Sequence, residues 1–88
     1  MDVSHNSANS RYELIEDGHV AYAAYKRDGD VWDFNHTVVP KALGGRGIGT
    51  RLVEAALADV RAQGGKVKPS CSFVAGYLEK HPDAAEVV

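Results

Sequence analysis

Apolar and polar positions recur with two different periods along the chain, and the period changes just after Pro40. Before it, RYELIE (11–16), HVAYAAYKR (19–27) and VWDFNHTVV (31–39) are rich in β-branched and aromatic residues, which suit a pleated, half-buried strand. Asp17-Gly18 and Asp28-Gly29 separate these runs. Asp-Gly between strand-like runs predicts a hairpin turn, because the turn needs positive φ. A three-stranded antiparallel meander follows. Pro40 has no N–H to give a ladder, so it ends the third strand and leaves KALGGRG as a connecting loop.

Beyond the loop the spacing is helical. Ile48, Leu52, Ala56 and Val60 fall four apart with Val53 and Leu57 beside them, while Glu54, Asp59 and Arg61 lie mostly off that face. The pattern predicts a helix from Ile48 to about Gln63, stopped by Gly64-Gly65. KVKPSC (66–71) reads as a short strand, and Phe73 to Lys80 as a second short helix ended by His81-Pro82. Strand, helix, strand in this order predicts a right-handed crossover that lays 66–71 parallel to 31–39. Pro69 suits a fully paired strand poorly, so these two strands are expected to splay apart near their ends. The expected fold class is α+β with the order β-β-β-α-β-α. Residues 1–10 read as a disordered tail, 11–82 as the domain and 83–88 as a second tail.

Eighty-eight residues make one domain, and 44% hydrophobic with 25% charged residues leaves no apolar run long enough for a membrane span. The start, MDVSHNSANS, has neither the basic opening nor the apolar stretch of a secretory signal, so a cytoplasmic location is expected. The lone Cys71 excludes an internal disulfide and a cysteine zinc pair. His5, His19, His36 and His81 lack ligand spacing, so no metal is expected. A formal net charge of −2 without a basic stripe argues against nucleic acid as a partner.

Gly44, Gly45, Gly47 and Gly49 crowd together just before the long helix. A glycine-rich turn that opens a helix exposes unpaired amide donors at the positive end of the helix dipole, which favours a pyrophosphate. The alternative is a turn whose glycines serve only a tight strand-to-helix connection. Two familiar phosphate motifs fail on spacing. Thr50-Arg51 stands where a Walker loop needs Lys-Ser/Thr, and Thr50 stands where the dinucleotide pattern needs its third glycine.

The turn resembles the acyl-CoA pyrophosphate loop of the GNAT N-acetyltransferase superfamily, Gln/Arg-x-x-Gly-x-Gly/Ala at a helix start. Gly47-Ile48-Gly49 supplies the Gly-x-Gly part, Gly44 departs from the leading Gln/Arg, and Arg46 stands inside the loop. The succession His36-Thr37-Val38-Val39-Pro40, GGRGIG, Pro69-Ser70-Cys71-Ser72-Phe73-Val74 and His81-Pro82 resembles a small single-domain GNAT-like subfamily over about residues 11–82. The resemblance implies an acetyl-CoA-dependent transfer of an acyl group to an amine of a small molecule or protein. The alternative is a module that binds acetyl-CoA or coenzyme A without turnover.

It also implies site residues. Backbone amides at Val38 and Val39 would hold the thioester carbonyl, and the stretch Gly44, Gly45, Arg46, Gly47, Ile48, Gly49 and Thr50 would take the pyrophosphate, with Arg46 and Arg51 as phosphate contacts. Tyr77 falls near the family's proton-donating tyrosine; an amphipathic packing role is the alternative. Cys71, beside a helix start, would accept the acyl group, line the acyl pocket, or serve as a small buried hydrophobe. His36 shares strand parity with Trp32 and Phe34, which predicts a packed ring, with general base as the other role. Asp33 and Asn35 face the opposite way, where either would orient an acceptor amine.

Overall fold

The computed structural model describes residues 3–88. It holds one five-stranded sheet in the order β1 (Val3–Asn6), β2 (Arg11–Glu16), β3 (His19–Asp28), β4 (Val31–Val38) and β5 (Lys66–Lys68). The first four strands pair antiparallel and the last pair is parallel. Helix α1 (Ile48–Ala62) forms the crossover, and α2 (Ser72–Lys80) follows β5. The predicted meander, crossover and second helix are therefore all present. Asp17 and Gly18 both take positive φ, 52° and 75°, as a two-residue hairpin turn of matching twist requires.

Three differences have physical causes. Within the stretch expected to be a disordered tail, Val3–Asn6 forms β1, paired from Val3↔Leu14 to Asn6↔Arg11; residues 1 and 2 lie outside the described residues. The strand is held by aromatic packing rather than by its own pattern: the His5 ring stacks on Tyr12 at 4.2 Å and its Nε2 shares a 2.7 Å hydrogen bond with the Tyr25 hydroxyl. The second expected tail is also part of the fold. Ala85 is buried, Val87 bridges Val67 in parallel, and the Val67 amide donates to the Glu86 carbonyl at 2.8 Å. Finally, β5 ends at Lys68 rather than Cys71, because Pro69 cannot extend the ladder.

One face of the sheet is the core face. Tyr12, Leu14, Ala21, Ala23, Tyr25, Trp32, Phe34 and Val67 alternate along the strands and pack against Ile48, Leu52, Val53, Ala56, Leu57 and Val60 of α1. Val74 and Leu78 bring α2 into the same cluster. At the end of α1 the two glycines have separate tasks. Gly64, at φ 74°, takes the left-handed position after the helix, and the Gly65 amide returns to the Val60 carbonyl at 2.9 Å.

Candidate functional site

Beyond β4, Pro40 opens a single 3₁₀ turn, Lys41–Leu43, that drives Leu43 fully into the core. The amides of Leu43 and Gly44 are spent inside this turn, on the carbonyls of Pro40 and Lys41 at 2.9 and 3.0 Å. The glycine cluster follows. Gly45 and Gly47 take φ of 75° and 69°, a region that costs a residue with a Cβ, and Gly47 is the N-cap of α1 with no side chain to cap the helix. The first paired amide after the turn is that of Arg51, which donates to the Gly47 carbonyl at 3.1 Å. Among the described residues, no carbonyl and no side chain accepts from the six consecutive amides of Gly45, Arg46, Gly47, Ile48, Gly49 and Thr50. Six free donors at the positive end of a 15-residue helix make a cradle that suits a diphosphate.

A cavity of about 240 Å³ stands over this turn, lined by Val39, Leu43, Gly45, Gly47, Gly49 and Phe73 among others. One wall depends on Gly49. A Cβ there would lie 2.7 Å from the Phe73 ring, so the absent side chain lets α2 close on the first turn of α1. The loop is also tethered from outside. Arg46 donates to Asp17 Oδ2 in the β2–β3 turn at 2.5 Å and to Glu16 Oε2 at the end of β2 at 3.1 Å, and these bonds, Asp17 first, hold its guanidinium protonated more firmly than usual. Arg51 donates to the Arg46 carbonyl at 3.3 Å. Both arginines thus shape the loop in this state, and Gly44 contributes its backbone geometry without a free amide.

The parallel strands splay as Pro69 predicts. Pairing runs only from Val31↔Lys66 to Asp33↔Lys68, with the Lys66 amide on the Asp30 carbonyl at 2.7 Å at one end and the Cys71 amide on the Phe34 carbonyl at 2.8 Å at the other. Beyond it β4 continues alone toward Val38, which pairs Tyr22 on its other side. At this point β4 carries a bulge. Ala24 pairs His36 and Tyr25 pairs Phe34, so Asn35 is the extra residue and every later side chain changes face. His36 therefore lies on the open face, exposed, with its ring 6.4 Å from Tyr22, and not packed with Trp32 and Phe34 as its parity predicts. Thr37 takes the core face beside Ala23 instead.

There Thr37 meets Cys71. The thiol donates to the Thr37 hydroxyl at 3.4 Å from the N-cap position of α2. Burial pushes the thiol pKa up, but the Thr37 hydroxyl and the amides of Val74, Phe73 and Thr37 outweigh it, and the net direction is down. Tyr77 is elsewhere. Six residues on from Cys71, about 9 Å along the helix, its hydroxyl donates to Glu54 Oε2 at 3.3 Å and its ring packs on His81 at 4.6 Å. Burial, then the Glu54 carboxylate, raises its pKa, so the phenol keeps its proton. The structure brings Cys71 close to the splay and the glycine turn beside Phe73, but it does not bring Cys71, Tyr77 and His36 together. Thr37 and Phe73 stand in the stretches that carry the resemblance but are given no site role there. Nothing in a single sequence marks the bulge that turns Thr37 inward, whereas Phe73, an apolar residue at a helix start, carried a weak signal.

With this geometry in place, comparison with known proteins is informative. Residues 11–87 match the family model described as GCN5-related N-acetyl-transferase. Among solved structures, the chain is similar to the NMR solution structure of a "GCN5-like putative N-acetyltransferase from Staphylococcus aureus", at 25% sequence identity and a TM-score of 0.75. That match covers 99% of this chain and 87% of the other. No curated protein matches.

Proposed function

The chain belongs to the GCN5-related N-acetyltransferase family, and from that premise we infer that it binds acetyl-CoA and transfers the acyl group to an amine. One observation carries the reading: the run of unpaired amides from Gly45 to Thr50 under a cavity, at the start of α1. Donors fixed by the backbone cost nothing further to orient and match the charge of a diphosphate. When bound, the carrier supplies an acyl group activated as a thioester. The chain's own residues do the rest. The six amides hold the diphosphate, and Phe73 closes the cavity from above. The splay beyond Phe34 leaves the inner edge of β4 near Val38 and Val39 free to meet the thioester end.

Cys71 stands at that end with a thiol held partly toward its ionised form by Thr37 and the first amides of α2. In the route through the protein, the Cys71 sulfur would take the acyl carbon as a thioester while the carrier's carbon–sulfur bond breaks and the Cys71 proton passes to the departing sulfur; the amine would then displace Cys71, forming the amide and returning the thiol. Direct transfer to the amine leaves Cys71 as a wall of the acyl pocket. A second reading, carrier binding without turnover, is favoured by one fact: the thiol, the phenol of Tyr77 and the imidazole of His36 do not converge.

Intact-mass measurement after incubation with acetyl-CoA separates these readings. Gain of one acetyl group, lost in Cys71→Ala, supports the covalent route. Acetylation of added amines without an adduct supports direct transfer. Binding of coenzyme A with neither outcome supports the carrier-binding reading, and no binding by calorimetry overturns all three.

A further inference from the structure

We propose that Glu16 and Asp17, which lie outside the cavity and the glycine turn, are positioning residues for the diphosphate cradle: through Arg46 they hold the loop in its binding shape and so raise its affinity for the carrier. The inference rests on the carrier-binding reading above. It adds a point of control on a different element, the β2–β3 hairpin.

The cradle has little of its own to hold it. Residues 44–47 are all exposed, three of the four are glycine, and Gly45 and Gly47 sit at positive φ. Among the described residues, the amides of residues 45–47 have no partner. Glycine backbone is the freest there is, so ordering such a loop at the moment of binding would subtract from the affinity that fixed donors provide. Two side chains brace it. Arg51 reaches the Arg46 carbonyl from the same helix start, and Arg46 itself reaches Asp17 and Glu16, 29 and 30 positions earlier in the chain.

Asp17 is the independent observation. It holds φ 52°, a region that only Ser10 shares among the described residues other than glycine. A two-residue turn of this kind accepts asparagine or glycine there as readily. What aspartate adds is a charge, and the structure places that charge on Arg46 at 2.5 Å.

Two carboxylates near a diphosphate also have an opposing effect, since they repel an anion and compete for the guanidinium. Geometry decides between the two. Both bonds use Nη1, so among the described residues Nη2 and Nε keep their donors, and an anion can take them while the tether stays closed. The Asp17 side chain is 62% exposed, where water and salt screen repulsion. Screening does not loosen the position of a backbone amide. Bracing therefore outweighs repulsion.

Calorimetric titration with coenzyme A tests this on four proteins: the wild type, Glu16→Gln combined with Asp17→Asn, Arg46→Ala, and all three changes together. The double amide variant keeps the shape of both side chains and suits the turn, and thermal melts establish that each variant is folded. It should bind coenzyme A about threefold more weakly, the worth of an exposed but networked ion pair. Arg46→Ala should cost about threefold less in that background than in the wild type, because the bond it breaks is already gone. In the free protein, NMR relaxation of the Gly45 and Gly47 amides should give lower order parameters for the double amide variant than for the wild type, which a change of charge alone would not produce. Tighter or unchanged binding by that variant, additive losses, or unchanged order parameters overturns the tether and leaves the carrier-binding reading intact. Failure of the wild type to bind coenzyme A overturns both.

Discussion

At the scale of single residues, two hydroxyl groups are tied to ionisation in opposite senses. Thr37 faces the Cys71 thiol only because the bulge at Asn35 reverses the faces of β4. Thr37→Val keeps the shape and removes the hydroxyl, so the thiol should titrate at higher pH, though still helped by the amides of Phe73 and Val74. The pH dependence of alkylation by iodoacetamide checks this, and an unmoved midpoint would show that the helix amides act alone. The sign for stability follows: a thiol pKa lowered in the fold contributes stability above the unfolded thiol value, which is lost as pH falls through the lowered one. Tyr12 works in the opposite sense. Burial first, and then the hydrogen bond to Asp59 Oδ2 at 2.5 Å, raise its phenol pKa. Its contribution is full below the unfolded phenol value of about 10 and is lost as pH rises beyond it. Tyr12→Phe should cost about 1.5–3 kcal/mol near neutrality, where a bond to a charged group is lost, and should flatten the alkaline decline in urea melts. An alkaline decline as steep as that of the wild type would mean that another group drives it.

At the scale of elements, the turn after α1 separates two reasons for glycine that one sequence cannot distinguish. Gly64-Gly65 is legible as a helix stop, yet only Gly64 has a left-handed φ. Gly65 is required by space: a Cβ there would lie 2.7 Å from Trp32 Nε1 and 2.9 Å from Val60 Cγ1. Gly64→Ala should therefore cost about 1 kcal/mol through backbone strain, and Gly64→Asn less, because asparagine tolerates that region. Gly65→Ala should cost about 1–3 kcal/mol by overpacking against a buried indole, and Gly65→Asn at least as much. Denaturant midpoints measure all four, and relief of the Gly65 site by asparagine would contradict the packing account. The glycine turn before α1 shows the same limit of legibility. Its glycines and its place at a helix start stand out in sequence, but which amides remain free depends on where the 3₁₀ turn of Lys41–Leu43 ends. Likewise Asp-Gly marks a hairpin, whereas the capture of Arg46 by Glu16 and Asp17 is a contact across about thirty positions that local pattern does not encode.

At the scale of the whole molecule, periodicity revealed the elements that bury their own faces and missed those held by others. β1 has no alternating apolar set; it is fixed by His5 against Tyr12 of β2, Tyr25 of β3 and Asp59 of α1, residues far from it in sequence. The C-terminal segment is fixed in the same way by β5. This anchoring cluster contacts α1 at Asp59, near its C-terminal end, while the candidate diphosphate cradle is at its N-terminus, and about 17 Å of helix lies between them. Sites that far apart without a shared partner should add. A ligand that binds only the folded chain stabilises it by about 2.7 kcal/mol at a hundredfold its dissociation constant, which for a domain of this size raises the melting temperature by roughly 10–20 °C. His5→Ala should lower the melting temperature in the absence of ligand and leave the rise given by coenzyme A unchanged. Gly47→Ala should do the reverse in kind, because a Cβ at φ 69° distorts the cradle itself and diminishes the rise. Thermal melts of the three proteins, with and without coenzyme A at one fixed concentration, decide the matter. If His5→Ala shrinks the rise as much as Gly47→Ala does, the two ends of α1 are energetically coupled, and the packing of β1 belongs to the binding machinery rather than to the scaffold alone.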